Sequence, residues 1–323
     1  MARGGSVKIL VTGATGFVGG ALVRRLVAHE SPHLLRVDVA LRRPERALPA
    51  GAAQHLVGDL SGDTNWQEAI EGVSIVVHCA ARAHVVGPAG DSLAAFRAVN
   101  VDGTLHLARC AAAAGVKRFI FLSSIKVHGE ATVAGSPLRH DDACHPKDAY
   151  GLSKLEAETG LRRLTQGTGM ELVVIRPPLV YGPGVRANFA ALMNWVRRGW
   201  PLPLAAVHNR RSLVGIDNLV DLIVTCLTHD AAPGQVLLVS DGEDVSTTQL
   251  LRRMGSAMGR PARLFPMPCT WLTLAAAMVG RSDIAQRLLG SLQVDDSRTR
   301  ELLDWRPPLS LDEGLKRAAG VLA

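Results

Sequence analysis

Residues 8–12 form an apolar, β-branched run that stops at Gly13-Ala14-Thr15-Gly16-Phe17-Val18-Gly19. Val18, Leu22, Leu26 and Val27 then follow at helical spacing. This strand–turn–helix constrains the fold more than any other feature. The turn is tight, and the backbone must approach a partner without a Cβ in the way. The start of such a helix offers unpaired N–H groups and a partial positive charge, which suits a pyrophosphate. Three glycines alone are weak evidence. At the head of an alternating chain they point to dinucleotide binding.

The alternation continues. Short apolar runs at 36–41, 55–57, 75–79, 118–123 and 171–176 read as strands, with Ala- and Leu-rich helical patterns at 104–114 and 153–164 between them. This predicts an α/β fold, a doubly wound parallel sheet of Rossmann type. Pro177, Pro178, Gly182, Pro183 and Gly184 then break the pattern. Residues 1–177 are expected to form the NAD(P)-binding domain, which also takes back about 213–240. Residues 178–212 and 241–323 are expected to form a smaller, mostly helical substrate lobe.

Charge and cysteine content narrow the partners. The formal net charge is +7, yet no basic run exceeds two residues, so nucleic acid is not expected and an anionic small substrate is. Five scattered cysteines suit a reducing compartment, and no signal peptide is read at the start, so a cytoplasmic location is expected. The apolar stretch 271–280 is too short to span a bilayer. It reads as a buried helix, with contact at a membrane surface as the alternative. His140-Asp141-Asp142-Ala143-Cys144-His145 lacks a helical His pair, so no metal site is expected.

The second strand ends in Arg42-Arg43, with Asp38 inside the strand. Arginine there favours the 2′-phosphate of NADP, whereas a carboxylate would favour NAD, which stays the alternative. Tyr150 and Lys154 open a helical stretch and share a face at i,i+4. An ammonium beside a phenol lowers its pKa and makes it an acid or base near neutrality. Ser124 ends the fifth strand, where the crevice of such a sheet lies, and can hydrogen-bond a reacting oxygen.

Together these residues resemble the extended short-chain dehydrogenase/reductase superfamily, in particular its nucleotide-sugar epimerases, dehydratases and reductases, over nearly the whole chain. Ser124, Tyr150 and Lys154 match the family's catalytic residues. The resemblance implies that Gly13, Thr15, Gly16, Phe17, Val18, Arg42, Arg43, Asp59, Leu60, Cys79, Ala80, Ala81, Asn100, Leu122, Ser123 and Pro177 line the cofactor, with Tyr150 and Lys154. Arg82, His84, Asn188, Arg211 and Arg287, with Ser124 and Tyr150, are the expected substrate contacts. Dehydratases carry an Asp-Glu pair where this chain has Ile125-Lys126, which argues against dehydration. His128 stands where relatives often have tyrosine and reads as a packing residue. The second half is similar to a bacterial subgroup linked to surface-polysaccharide sugars, and dimers are common among relatives.

The leading expectation is NADPH-dependent reduction of a UDP-4-keto-6-deoxy-N-acetylhexosamine. The alternative is UDP-hexose 4-epimerisation with tightly held NAD. A catalytically silent NAD(P)-binding regulator is the third reading, weakened by the presence of both Tyr150 and Lys154.

Overall fold

The computed structural model describes residues 6–28, 35–83, 92–133, 135–278 and 280–321. The strands are β1 (Val7–Thr12), β2 (Leu35–Leu41), β3 (Ala52–Leu56), β4 (Ile75–His78) and β5 (Arg118–Leu122). They continue with β6 (Glu171–Arg176), β7 (Leu179–Tyr181), β8 (Arg211–Gly215), β9 (Val236–Leu238) and β10 (Asp244–Val245). Seven of them form one parallel sheet in the order β3-β2-β1-β4-β5-β6-β9. The order reverses between β1 and β4, so a crevice opens beyond their C-terminal ends.

Helices cover both faces, which is why the central strands are apolar throughout rather than alternating. On one face Leu22, Val23 and Leu26 of the helix Phe17–Val27 share a core with Leu219, Leu222 and Ile223 of the helix Ile216–Thr228. On the other, Leu107, Ala108 and Ala111 of Thr104–Ala113 meet Ala157 and Leu161 of Ala149–Thr165. The small alanines let those two helices lie close to the sheet.

Beyond β6 the chain builds a second sheet, β10-β8-β7. β8 therefore joins the small sheet while β9 returns to the large one, and the helix between them packs on the large sheet. A separate core fills the lobe, with Phe189, Leu192, Val196, Leu251 and Leu315 at its centre.

One sequence expectation is overturned here. The helix Cys269–Met278 is not buried: none of its residues is, and Trp271, Leu274 and Met278 are 68%, 63% and 82% exposed. Its Leu272 touches the lobe core. Apolar composition without a polar face does not tell a core helix from one that looks outward. Among the described residues no helix is long and apolar enough to cross a membrane.

Candidate active site

The glycine loop closes on the end of β4. Gly13 has φ +74°, and a Cβ there would stand 2.6 Å from the Ala80 nitrogen. A Cβ on Gly19 would stand 2.2 Å from the Gly13 carbonyl. Any side chain at either position would push the turn off its neighbours. Thr12 ties the same corner together, pairing with His78 Nδ1 at 2.7 Å and accepting from the Ala80 N–H at 3.3 Å. His78 also pairs with Thr104, and burial holds its pKa down at about 3, so the imidazole is neutral. No side chain caps the helix that begins after Gly16, and Thr15 and Gly16 are exposed. Its first N–H groups thus face an open cradle, which fits the pyrophosphate of a dinucleotide.

Around this cradle lie the other expected cofactor residues. Cys79, Ala80 and Ala81 follow β4 and are half-buried. Arg42 and Arg43 are exposed at the end of β2, and Arg42 pairs with Asp59 at 3.5 Å. Asp38 is spent inside the fold, bound to His55 at 2.5 Å and Lys8 at 3.1 Å.

The helix Ala149–Thr165 brings Tyr150 and Lys154 to the ends of β4 and β5. Asp148 caps it, accepting from the Gly151 N–H at 2.6 Å, and also binds the Lys126 ammonium. Lys126 reaches Glu130 at 2.9 Å as well. The residue that stands in place of an acidic partner is thereby committed to anchoring the helix that carries Tyr150 and Lys154. Ser124 caps the short turn Ile125–Val127, accepting from the Lys126 N–H at 3.2 Å, and its hydroxyl stands near enough to the Tyr150 phenol to pull its pKa down. Phe96 meets the Tyr150 ring edge-on, 6.2 Å between centroids.

The expected drop in the Tyr150 pKa is not met. Burial, then the Asp148 carboxylate, push the phenol up to about 12, with Ser124 pulling the other way. The reason is where Lys154 goes. Its ammonium lies 4.2 Å over the Phe121 ring. Burial lowers it to about 8 against the opposing pull of Glu158 and Cys79. The i,i+4 spacing put both groups on one helix face, but Lys154 reaches down to the sheet.

Two expected cofactor residues have their polar side-chain groups engaged within the fold. Asn100, 1% exposed, sits in a π-helical turn, Ala98–Gly103. It bonds Ser153 at 2.9 Å and both backbone groups of Arg82 at 2.8 and 3.1 Å. Ser153 in turn donates to the Tyr150 carbonyl at 2.8 Å. Ser123, 3% exposed, donates to Glu158 at 2.5 Å. The Leu122 strand end and Pro177 lie beside them, where the Ile125 N–H donates to the Pro177 carbonyl at 3.0 Å.

Sequence reasoning missed Glu158, although it falls four residues after Lys154 on the same face. Its carboxylate is fully buried and takes a two-pronged bond from Arg176, at 2.5 and 2.9 Å, and another from Arg162 at 2.9 Å. Burial works against ionisation there, but the Arg176 and Ser123 hydrogen bonds prevail and hold Glu158 below the usual carboxylate range. His128 packs into this network, 2.7 Å from Arg176.

The substrate side is partly assembled. Arg211 on β8 and Arg287 on the helix Ser282–Leu289 lie close enough to couple electrically. Burial, then Arg287, holds the Arg211 pKa below its ordinary value. Arg211 also donates to the Gly290 carbonyl at 3.0 Å. Asn188 is exposed on the helix Ala187–Arg198. Arg82 is half-buried after β4. His84 lies outside the described residues.

A chain from Vibrio cholerae, a "UDP-glucose 4-epimerase", is 47% identical over 315 residues, covering 96% of this chain and 94% of that one. An Escherichia coli O157:H7 protein, "N-acetyl-alpha-D-glucosaminyl-diphospho-ditrans,octacis-undecaprenol 4-epimerase", is 28% identical over 80% of this chain and 76% of its own. The fold is similar to that of a Bacillus cereus UDP-glucuronic acid 4-epimerase solved with NAD, at TM-score 0.78 and 21% identity, with 98% and 96% of the two chains covered. The match to the NAD dependent epimerase/dehydratase family runs over residues 9–239, from the strand of the glycine loop to the last strand of the large sheet, and the chain belongs to that family.

Proposed function

We propose that the protein is a 4-epimerase of a UDP-linked hexose, working through NAD. The observation that carries this is the likeness to the Vibrio UDP-glucose 4-epimerase, which extends over nearly the full length of both chains. Tyr150 with Ser124 near its phenol and Lys154 one helical turn on supply the chemistry.

A bound nicotinamide would supply hydride exchange at the sugar C4. The rest falls to the chain. Tyr150 exchanges the proton of the C4 oxygen, and Ser124 hydrogen-bonds that oxygen. The phenol, held protonated to about 12, is set to donate in the return step and must lose its proton before it can take one from the C4 hydroxyl. Lys154 keeps its charge up to about 8, so a cation stands one helical turn from the phenol at neutral pH, over the Phe121 ring. The loop from Gly13 to Gly19 holds the dinucleotide pyrophosphate, and Arg211 and Arg287 take the UDP diphosphate through charge-assisted bonds. In an epimerisation the sugar would regain both proton and hydride, so no cofactor would be consumed.

This reading displaces the NADPH-dependent 4-keto reduction expected first. That expectation leaned on Arg42 and Arg43 as partners of a 2′-phosphate. Arg42 has a carboxylate neighbour in Asp59, and the family's own description is NAD dependent.

The test uses purified protein and UDP-glucose, with UDP-galactose followed by chromatography and the released nucleotide identified after denaturation. UDP-galactose formation without net change in NADH absorbance is expected, with NAD as the released nucleotide. Stoichiometric NADPH oxidation by UDP-4-keto-6-deoxy-N-acetylglucosamine, with no UDP-galactose from UDP-glucose, would overturn the reading in favour of the reductase.

A further inference from the structure

Two segments of the substrate lobe, 182–216 and 245–282, hold five arginines each and no aspartate or glutamate. The fold brings them together. Leu202 bridges to Leu264, the Leu202 N–H donates to the Arg263 carbonyl at 2.9 Å, and the Phe265 N–H donates to the Leu202 carbonyl at 3.0 Å. Cys269 at the start of the exposed helix lies 3.8 Å from the Ala206 carbonyl.

On this joint surface apolar side chains look outward. Trp271, Leu274 and Met278 recur at helical spacing on the outer side of Cys269–Met278, opposite Leu272, which enters the lobe core. Trp200 (51% exposed) and Phe265 (41% exposed) stand on the two paired segments. The guanidinium of Arg198 lies 5.4 Å over the Trp200 ring, and Arg260, Arg263 and Arg281 are exposed around the helix. The helix itself carries no charge.

We propose that this face docks peripherally on an anionic lipid bilayer. The helix Cys269–Met278 lies in the plane of the interface, with Trp271, Leu274 and Met278 entering the acyl boundary. The arginines meet lipid phosphates. The physical grounds are the pairing of an uncharged apolar helix with a surround rich in exposed arginine. Apolar burial and attraction to anionic lipid act together at an interface, and tryptophan favours that depth. A second copy is a poorer occupant, because two such faces would oppose arginine with arginine. The inference goes beyond the proposed reaction and does not depend on it. It would set the helix bearing Arg287, which follows directly, close to the lipid surface.

The test is flotation of the full-length protein with phosphatidylcholine vesicles, with and without phosphatidylglycerol, at low and high salt. Binding is expected with phosphatidylglycerol and is weakened by salt. The double variant Trp271→Glu/Leu274→Glu should bind at least about tenfold more weakly, since both charges would enter the acyl boundary. Its melting temperature should be unchanged. Should that variant fail to fold, Arg263→Glu/Arg281→Glu leaves the apolar face intact and should likewise lose the phosphatidylglycerol-dependent binding. Absence of vesicle binding by the native chain, or equal binding by a folded variant, would overturn the proposal. So would a dimer, by sedimentation, that Trp271→Glu/Leu274→Glu splits while vesicles bind neither form.

Discussion

The chain has two tyrosines, and the regions around them use the same phenol for opposite ends. Tyr150 is half-buried at the mouth of the large sheet, with the Ser124 hydroxyl near its phenol. Tyr181 ends β7 in the small sheet, fully buried, and donates to Asp241 at 2.6 Å. Asp241 also accepts from the Gly215 N–H and the Asn218 amide, both at 2.7 Å. Burial and that carboxylate push the Tyr181 pKa far up. A phenol that donates to a buried carboxylate is locked in its protonated form. A phenol beside a hydroxyl, with an ammonium one turn along its helix, can give and take a proton. The first arrangement holds two parts of a lobe together. The second is the one that the proposed reaction uses.

Tyr150→Phe should give the largest effect that sharpens this contrast. Turnover should fall by about a thousandfold, as expected for loss of a general acid–base. The melting temperature and nucleotide binding should stay near those of the native chain. Full activity in this variant would break the mechanism and the contrast together.

Glu158→Gln comes next, because it strikes the scaffold beneath Tyr150 rather than the phenol. It leaves Arg176 buried without a counter-charge and should cost about 3–5 kcal/mol in urea unfolding. A loss within about 0.5 kcal/mol, the range of an ordinary surface change, would mean that Arg176 finds another acceptor and that the network does not act as a unit.

Tyr181→Phe should cost about 1–3 kcal/mol, since it strips a buried carboxylate of one donor. Turnover at saturating substrate should change little. A collapse in kcat without loss of stability would move Tyr181 to the chemical side of the comparison.

The smallest effect is a pH slope. The Lys154 pKa of about 8 in the fold lies below its ordinary 10.5. Between those values the unfolded chain binds more protons at this site than the folded one, so its contribution to stability rises with pH. Below about 8 the burial penalty is fully present. Relative to Lys154→Met, the native chain should therefore gain stability between pH 8 and 10. An unchanged difference across that window would mean that Lys154 is better solvated than its place over Phe121 suggests.

The legibility of these regions follows from how local their causes are. The glycine loop, the parallel sheet and the Tyr150–Lys154 pair rest on spacings of a few residues, and periodicity reports such spacings directly. Glu158 was within reach of the same reasoning, being one turn beyond Lys154. Its meaning was not, because Arg176 comes from a strand 18 residues on and His128 from 48 residues before Arg176. Asn100 and Ser123 stood in positions suited to touching a ligand, yet their polar groups were claimed by Arg82, Ser153 and Glu158. A sequence names the donors and acceptors near a site without saying which neighbour satisfies them.

The sequence by itself determined the large sheet, its glycine cradle and the helix that carries Tyr150 and Lys154, because short-range sterics and burial on both sheet faces leave few other ways to fold those patterns. Only the tertiary structure decided that Lys154 leans onto Phe121, that β8 leaves the large sheet, and that Cys269–Met278 faces outward. Those outcomes depend on which surfaces meet across the chain, and a side chain's partner, unlike its period, is not written next to it.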